Sequence, residues 1–181
     1  IGKCRFLDTI KESKFGSTVL VENAETGELY VIKRNEKSSS GLKEARVLAS
    51  LKHKNIVNIF GAGGDSKRMV IMMEYAQGGS LAGRMAKPYQ YEKAMEIITQ
   101  VAEGLDFAHK NNIIHGDLRP SNILFSREEM VRLTDFGFPP HYNMMEKNWY
   151  MPPERRVGRQ GDIYSLGVIL HQMIIGTNPN Y

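Results

Sequence analysis

Three oxygen-bearing side chains near the middle of the chain have the types and spacing to bind a metal ion and a phosphate. Asp117 and Asn122 lie in the segment His115-Gly-Asp-Leu-Arg-Pro-Ser-Asn122, and Asp135 follows Asp117 by eighteen residues, at the start of Asp135-Phe-Gly137. Carboxylate and amide oxygens suit a hard divalent cation rather than a soft metal. This set of residues therefore indicates phosphoryl-transfer chemistry.

A short hairpin is predicted to position Asn122 and Asp135. Residues 123–125 and 131–133 form apolar or alternating runs, separated by the polar segment 126–129, a pattern typical of two strands joined by a turn. Asn122 enters the first strand and Asp135 follows the second, so antiparallel pairing brings both side chains to the same edge. A metal ion could bridge them there.

These motifs resemble those of the eukaryotic-type protein kinases. In that family the catalytic loop H-R-D-L-x-x-x-N is followed by D-F-G and then by A-P-E. The corresponding segments here stand in the same order: His115 to Asn122, Asp135-Phe-Gly137 and Pro152-Pro-Glu154. The resemblance, to catalytic domains of the Ser/Thr type, implies an α+β, two-lobed fold. One lobe is a small antiparallel β-sheet with one main helix, and the other is mainly helical.

The resemblance covers residues 1–181 as one domain. It implies an N-lobe with the ATP-covering sheet over 1–75, then a hinge and a partial C-lobe over 76–181. The chain stops at Tyr181, where the family continues through several more helices. We therefore expect a C-terminally truncated lobe whose last helix, near 162–175, leaves apolar surface for a covering segment or a partner chain.

The first lobe carries a predicted lysine–glutamate pair. Lys33 ends Val31-Ile-Lys33, like the V-A-I-K strand of the family, and Glu44 lies on a predicted helix over 41–52. Glu44 shares a helix face with apolar residues, and a buried acid there needs a cationic partner. The resemblance implies that Lys33 binds the α- and β-phosphates of ATP and that Glu44 fixes Lys33.

The nucleotide site is implied by the resemblance alone. Gly16 is the third glycine of the family's G-x-G-x-x-G loop, whose backbone N–H groups cover the phosphates, whereas Lys11 and Ser13 stand at the first two glycine positions. In the hinge, the Glu74 carbonyl and the Ala76 N–H would meet the adenine edge. The pocket behind and around the adenine would be formed by Met73, Ile10, Val31 and Leu124.

The second lobe is predicted to deliver the catalytic loop. Residues 91–110 form an amphipathic pattern whose apolar stripe indicates core packing, followed by a predicted strand at 113–114. The resemblance makes Asp117 the residue that accepts or orients the proton of the acceptor hydroxyl, with Arg119 neutralising charge on the transferred group. His115 is expected to be a packed structural residue. Asp162 is expected to cap the last helix, and the resemblance implies that it also holds the backbone of the catalytic loop.

Composition favours a soluble globular domain and excludes several other classes. With 181 residues, 41% hydrophobic and 24% charged, the chain can bury a sizeable core. The formal charge of +4 comes without a run of five like charges, so no nucleic-acid partner is predicted. The single Cys4 excludes an internal disulfide and fits a reducing compartment.

The absence of recognisable targeting patterns also favours a soluble domain. The chain contains no signal peptide and no apolar stretch long enough for a membrane segment. A cytoplasmic protein, or a cytoplasmic domain excised from a longer chain, is therefore expected. The expected partners are ATP with Mg2+ and a protein substrate.

Three functions remain open from the sequence. The first is an active protein kinase that transfers the γ-phosphoryl group of Mg-ATP to a protein hydroxyl, with Ser/Thr favoured over Tyr. The second is a pseudokinase, a nucleotide-binding or interaction scaffold, favoured by Lys11, Ser13 and Lys147 at family motif positions. The third is a small-molecule phosphotransferase, because His-Gly-Asp is familiar in aminoglycoside and choline kinases.

Overall fold

The chain forms two compact units in a computed structural model that describes residues 3–13, 16–36, 49–64, 68–136 and 149–179. Unit 1 comprises Ile1–Lys52 with Val57–Tyr75, and unit 2 comprises His53–Ile56 with Ala76–Tyr181. Over the described residues, unit 1 is built on an antiparallel sheet, and long helices occur in unit 2. The expected α+β kinase-like architecture is confirmed.

Unit 1 contains a five-stranded antiparallel sheet in the order β1-β2-β3-β5-β4. Its strands are β1 (Cys4–Ser13), β2 (Gly16–Asn23), β3 (Leu29–Glu36), β4 (Ile59–Gly64) and β5 (Arg68–Glu74). Alternate β-branched and apolar residues give the inner strands one buried face. The buried residues on these strands are Val19, Val21, Val31, Met69, Ile71 and Met73.

Unit 2 is organised around two long helices and a small hairpin. Its elements are α1 (Leu81–Arg84), α2 (Tyr91–Lys110), a 3-10 turn (Pro120–Asn122), β6 (Ile123–Phe125), β7 (Val131–Leu133) and α3 (Arg159–Ile175). The predicted apolar stripe of α2 is buried, and α3 packs against this helix. Strands β6 and β7 pair with Ile123 opposite Leu133, so the predicted hairpin is confirmed.

Residues His53–Ile56, in the loop before β4, belong to unit 2. Within this loop, Asn55 is hydrogen-bonded to strand β7. The Leu133 N–H donates to the Asn55 carbonyl at 2.8 Å, and the Asn55 side-chain amide donates to the Val131 carbonyl at 3.1 Å. Gly104 on α2 allows this close approach, since a Cβ there would lie 2.9 Å from a Leu133 methyl group. These contacts hold β7 on α2.

Two local predictions were wrong. Residues 113–114 form no strand, because the Ile113 N–H donates to the Ala108 carbonyl and closes the end of α2. Helix α3 begins at Arg159 after Gly158, so Asp162 lies in its first turn and is not its N-cap. Its carboxylate is engaged by a distant loop instead.

The exposed surface of α3 agrees with the sequence expectation. Ile163 and Ile175 are both more than half exposed, whereas Ile169 and Met173 are buried. Among the described residues, no helix combines the length and apolar character that crossing a membrane requires.

Candidate active site

The catalytic-loop backbone is held by one buried carboxylate. Asp162 is only 2% exposed. Its two oxygens accept from the N–H groups of His115 and Gly116, each at 2.9 Å. The His109 Nε2 atom lies 2.7 Å from the Asp162 Oδ2 atom. Asp162 thus ties the start of the loop to α3, as the family resemblance implied, and to the end of α2.

His115 is a structural residue, as the sequence predicted. Its buried ring packs on Phe136 with 4.5 Å between ring centroids, and its Nδ1 atom accepts from the Asp117 N–H at 3.3 Å. Burial lowers the pKa of His115, although the nearby carboxylates of Asp162, Asp117 and Asp135 oppose this shift. The ring is therefore neutral at pH 7 and supports the Asp117 backbone.

Gly116 suits the backbone conformation of the loop. Its φ angle is +79°, in the left-handed region that residues with a Cβ rarely adopt. A Cβ here would also lie 3.2 Å from a Val157 methyl group. The glycine between His115 and Asp117 lets the chain turn so that both neighbouring N–H groups find acceptors.

Asn122 binds Asp117 directly. Its side-chain amide donates to the Asp117 carbonyl at 2.8 Å and to the Asp117 carboxylate at 3.2 Å. The 3-10 turn fixes Asn122, whose backbone N–H donates to the Arg119 carbonyl. The amide nitrogen faces Asp117, and the Asn122 Oδ1 atom accepts a long hydrogen bond from the Ser121 hydroxyl at 3.4 Å. An amide oxygen can accept from a hydroxyl and still have a lone pair for another partner.

Asp135 lies at the same end of the hairpin as Asn122. The Thr134 N–H donates to the Asn122 carbonyl at 3.1 Å, which continues the β6–β7 pairing by one more residue pair. Asp135 itself has φ +65°, a conformation uncommon for non-glycine residues and often found at functional sites. The hairpin therefore brings Asn122 and Asp135 to one edge.

Asp117 and Arg119, the two charged residues of the loop, both lie near Tyr150. The Arg119 backbone is extended as it enters the 3-10 turn. Burial raises the pKa of Tyr150, and the Arg119 guanidinium opposes this shift. Asp117 and Tyr150 both line a small pocket with Pro152, Arg156 and two neighbouring residues, Met151 and Val157.

Two of the predicted adenine contacts lie in unit 2. Ala76 is buried, and within the described ranges its backbone N–H donates no hydrogen bond. Leu124, on β6, is half-buried and bridged to Ser80. The predicted adenine contact requires a backbone N–H that can donate to the ligand, and the Ala76 N–H meets this requirement.

The other predicted nucleotide contacts lie on the sheet of unit 1. Val31 pairs with Met73 and Lys33 pairs with Ile71, so these side chains share one face. The Glu74 backbone N–H donates to the Asn58 carbonyl at 2.9 Å, which aligns the end of β5.

Strands β1 and β2 carry the remaining predicted nucleotide contacts of unit 1. Ile10 on β1 is 51% exposed, and Gly16 begins β2 opposite Ser13. Glu44, the predicted partner of Lys33, and Lys147 lie outside the described residues.

Comparison with known proteins shows the family. The protein kinase domain model matches residues 5–181. The chain is 30% identical to an Aurora kinase of Schizosaccharomyces pombe over 99% of its length, and 32% identical to a mitogen-activated protein kinase kinase kinase of Dictyostelium discoideum over 91%. It is also 36% identical to a probable serine/threonine-protein kinase of Clostridium perfringens over 76%.

The chain covers 56%, 20% and 22% of these three relatives, respectively. The matched region includes both units and all the residues that resemble family motifs. The chain therefore belongs to the protein kinase domain family.

Proposed function

We propose that this kinase domain transfers the γ-phosphoryl group of Mg-ATP to a Ser or Thr hydroxyl of a protein acceptor. One observation carries the proposal: the Asn122 amide donates to both the carbonyl and the carboxylate of Asp117. The Asn122 carbonyl also accepts from Thr134, next to Asp135. The proposed base is thus hydrogen-bonded to one proposed metal ligand, Asn122, and the other, Asp135, is next in sequence to the residue that binds the Asn122 carbonyl. The relatives whose names state serine/threonine-protein kinase support the acceptor class.

Each residue of the loop has a separate role in the proposed reaction. Asp117 accepts or orients the proton of the acceptor hydroxyl as its oxygen attacks. His115 is unsuited to this role, because its Nδ1 atom accepts from the Asp117 N–H and its ring packs on Phe136. Arg119 supplies positive charge near the transferred group.

The donor set suits the proposed cofactors. Asn122 and Asp135 offer the oxygen ligands that Mg2+ prefers. Bound Mg-ATP supplies the phosphoryl group and the cation that neutralises its charge. Nucleotide contacts are assigned to Lys33, positioned by Glu44, and to Ile10, Gly16, Val31, Met73, Glu74, Ala76 and Leu124.

A nucleotide-binding scaffold without turnover is the second candidate. The β1–β2 pairing continues through Lys11 and Glu12 to the Ser13–Gly16 pair. After a register shift between Thr9 and Lys11, residues with side chains therefore continue the strand at positions where the family has glycines. Such a strand would limit the approach of backbone N–H groups to phosphate.

Transfer of labelled γ-phosphate to the chain and to a basic protein tests the proposal. Asp117→Asn should lower the rate by roughly 10²–10⁴-fold, the usual contribution of a general base. The control is Asp106→Asn, which changes an exposed aspartate on α2 and should retain activity. If neither the wild-type chain nor either variant transfers labelled phosphate, the nucleotide-binding scaffold is favoured. Transfer only to hydroxyl metabolites would indicate a small-molecule phosphotransferase.

A further inference from the structure

Arg84 joins three segments of unit 2 in what we define as the Arg84 clamp: Arg84, Gly78, Phe125 and Glu129. From the end of α1, the Arg84 Nε and Nη2 atoms donate to the Gly78 carbonyl at 3.1 and 2.5 Å. Both terminal nitrogens pair with the Glu129 carboxylate, one of them at 2.9 Å. The guanidinium carbon lies 4.0 Å from the centroid of the Phe125 ring.

The geometry of the clamp is specific to arginine. The Arg84 side chain is 31% exposed and that of Glu129 is 55% exposed, and an isolated pair at such exposure contributes little to stability. Here, however, one planar guanidinium serves a carbonyl, a carboxylate and an aromatic ring together. A lysine ammonium cannot reproduce this arrangement.

The clamp closes on a segment that is already paired with β6. The Gly78 N–H donates to the Phe125 carbonyl at 2.8 Å, and the Phe125 N–H donates to the Gly79 carbonyl at 2.9 Å. A Cβ at Gly78 would lie 2.7 Å from the Ser126 carbonyl oxygen and 2.9 Å from the Arg84 Nη2 atom. The glycine is therefore required for this close approach.

Glu129 adopts a conformation that its residue type does not favour. Its φ angle is +63° in the turn between β6 and β7. Glycine or asparagine would occupy this position more easily. The turn nevertheless carries a glutamate, and its carboxylate is engaged by Arg84. The third segment of the clamp is thus the turn of the hairpin that ends in Asn122 and Asp135.

We propose that Arg84 is a positioning residue for nucleotide binding, an inference that rests on the proposed function. Ala76 precedes Gly78 by two residues, and Leu124 directly precedes Phe125. Because Arg84 fixes the Gly78 backbone against Phe125, it sets the spacing between these two proposed adenine contacts. The clamp is separate from Asp117, so its loss should weaken ATP binding without slowing phosphoryl transfer at saturating ATP.

Steady-state kinetics and direct binding of Mg-ATP by the full chain test this inference. Arg84→Ala and Arg84→Lys should both raise the KM and Kd for ATP by about tenfold, with kcat changed less than about twofold. Glu129→Ala keeps the carbonyl and ring contacts of Arg84 and should raise KM by only about threefold. Lys54→Ala, which removes another exposed ion pair of unit 2, is the matched control and should change neither constant.

Amide hydrogen exchange supplies a readout without nucleotide. The amides of Gly78 and Phe125 should exchange faster in Arg84→Ala than in Lys54→Ala, because the clamp no longer holds their mutual hydrogen bonds. Loss of kcat with an unchanged KM would indicate a general structural role and would overturn the inference. If the wild-type chain binds ATP and Arg84→Ala binds it with the same affinity, the inference about Arg84 is overturned but the proposed function is not. If the wild-type chain binds no ATP, the proposed function is overturned as well.

Discussion

The two groups of proposed site residues are held in place by different kinds of interaction. In unit 2, Asp117 depends on side chains, because His115 and Asn122 of the same loop bind it and the distant Asp162 fixes the preceding backbone. In unit 1, Lys33 and its neighbours depend on strand pairing, in which backbone groups make the hydrogen bonds. A loop that lacks a backbone ladder must find its partners among side chains.

This difference predicts unequal sensitivity to substitution. Many sequences can form the sheet, because its register is carried by backbone hydrogen bonds and by one apolar face. Few can form the catalytic loop, because a single carboxylate accepts from two consecutive N–H groups. We therefore expect single changes in the loop to be costly and single changes on the exposed edge of the sheet to be mild.

The largest effect on stability is expected from Asp162→Ala. The free energy of unfolding should fall by roughly 3 kcal/mol, since the N–H groups of His115 and Gly116 lose their acceptor and each unsatisfied buried donor costs about 1–3 kcal/mol. Denaturant titration measures this change. Asp162→Asn keeps the shape and one acceptor oxygen, so its cost should be about half as large.

A change in unit 1 serves as the comparison for this prediction. Arg5→Ala removes an exposed ion pair with Glu22 on the β1–β2 ladder. Its effect should stay within about 0.5 kcal/mol. If Arg5→Ala proved as destabilising as Asp162→Ala, the proposed difference between the two regions would be wrong.

Glycine substitutions sharpen the comparison within unit 2. Gly116→Ala should lower the free energy of unfolding by about 1–2 kcal/mol, because a Cβ disfavours the left-handed conformation of this residue. Gly167→Ala on α3 should instead raise it by about 0.5–1 kcal/mol, since the added Cβ meets open space and alanine favours a helix. Equal signs for the two variants would contradict the backbone argument.

The smallest effect on stability is expected from Ile10→Ala. Because Ile10 is half exposed, the free energy of unfolding should change by less than about 0.5 kcal/mol. The KM for ATP should nevertheless rise about fivefold if the side chain covers the adenine, through the loss of buried methyl and methylene groups. Leu7→Ala, at another exposed position of β1, should leave this KM unchanged.

Local patterns predicted much of the fold. The β6–β7 hairpin and the buried stripe of α2 were predicted correctly, because strand alternation and helical periodicity depend on residues close together in the sequence. The strand expected at 113–114 was wrong, since two isoleucines do not distinguish a strand from a helix end. The prediction that Asp162 caps α3 was wrong for another reason. Aspartate is a preferred N-cap residue, but this carboxylate accepts hydrogen bonds from a distant loop instead.

The proposed site was predicted unevenly. Asp117, Asn122 and Asp135 could be recognised from residue type and order. The hydrogen bonds between Asn122 and Asp117, and the strand pairing that places Asp135 beside Asn122, support the roles proposed for them. The predicted Lys33–Glu44 pair stays a prediction, because Glu44 lies outside the described residues. The contacts of Arg84 could not be predicted, since neither a motif nor a periodic pattern distinguishes it from an ordinary surface arginine.

The sequence by itself determined the family, the proposed set of oxygen ligands and the hairpin that brings Asn122 and Asp135 to one edge, because these depend on residue type, order and short-range pairing. The family resemblance implied that Asp162 holds the loop backbone, but only the tertiary structure decided that it binds the Gly116 N–H, 46 residues away, and that Arg84 engages Glu129 across 45 residues. Such hydrogen bonds join side chains to loops that only packing brings together, so no local pattern in the sequence could announce them.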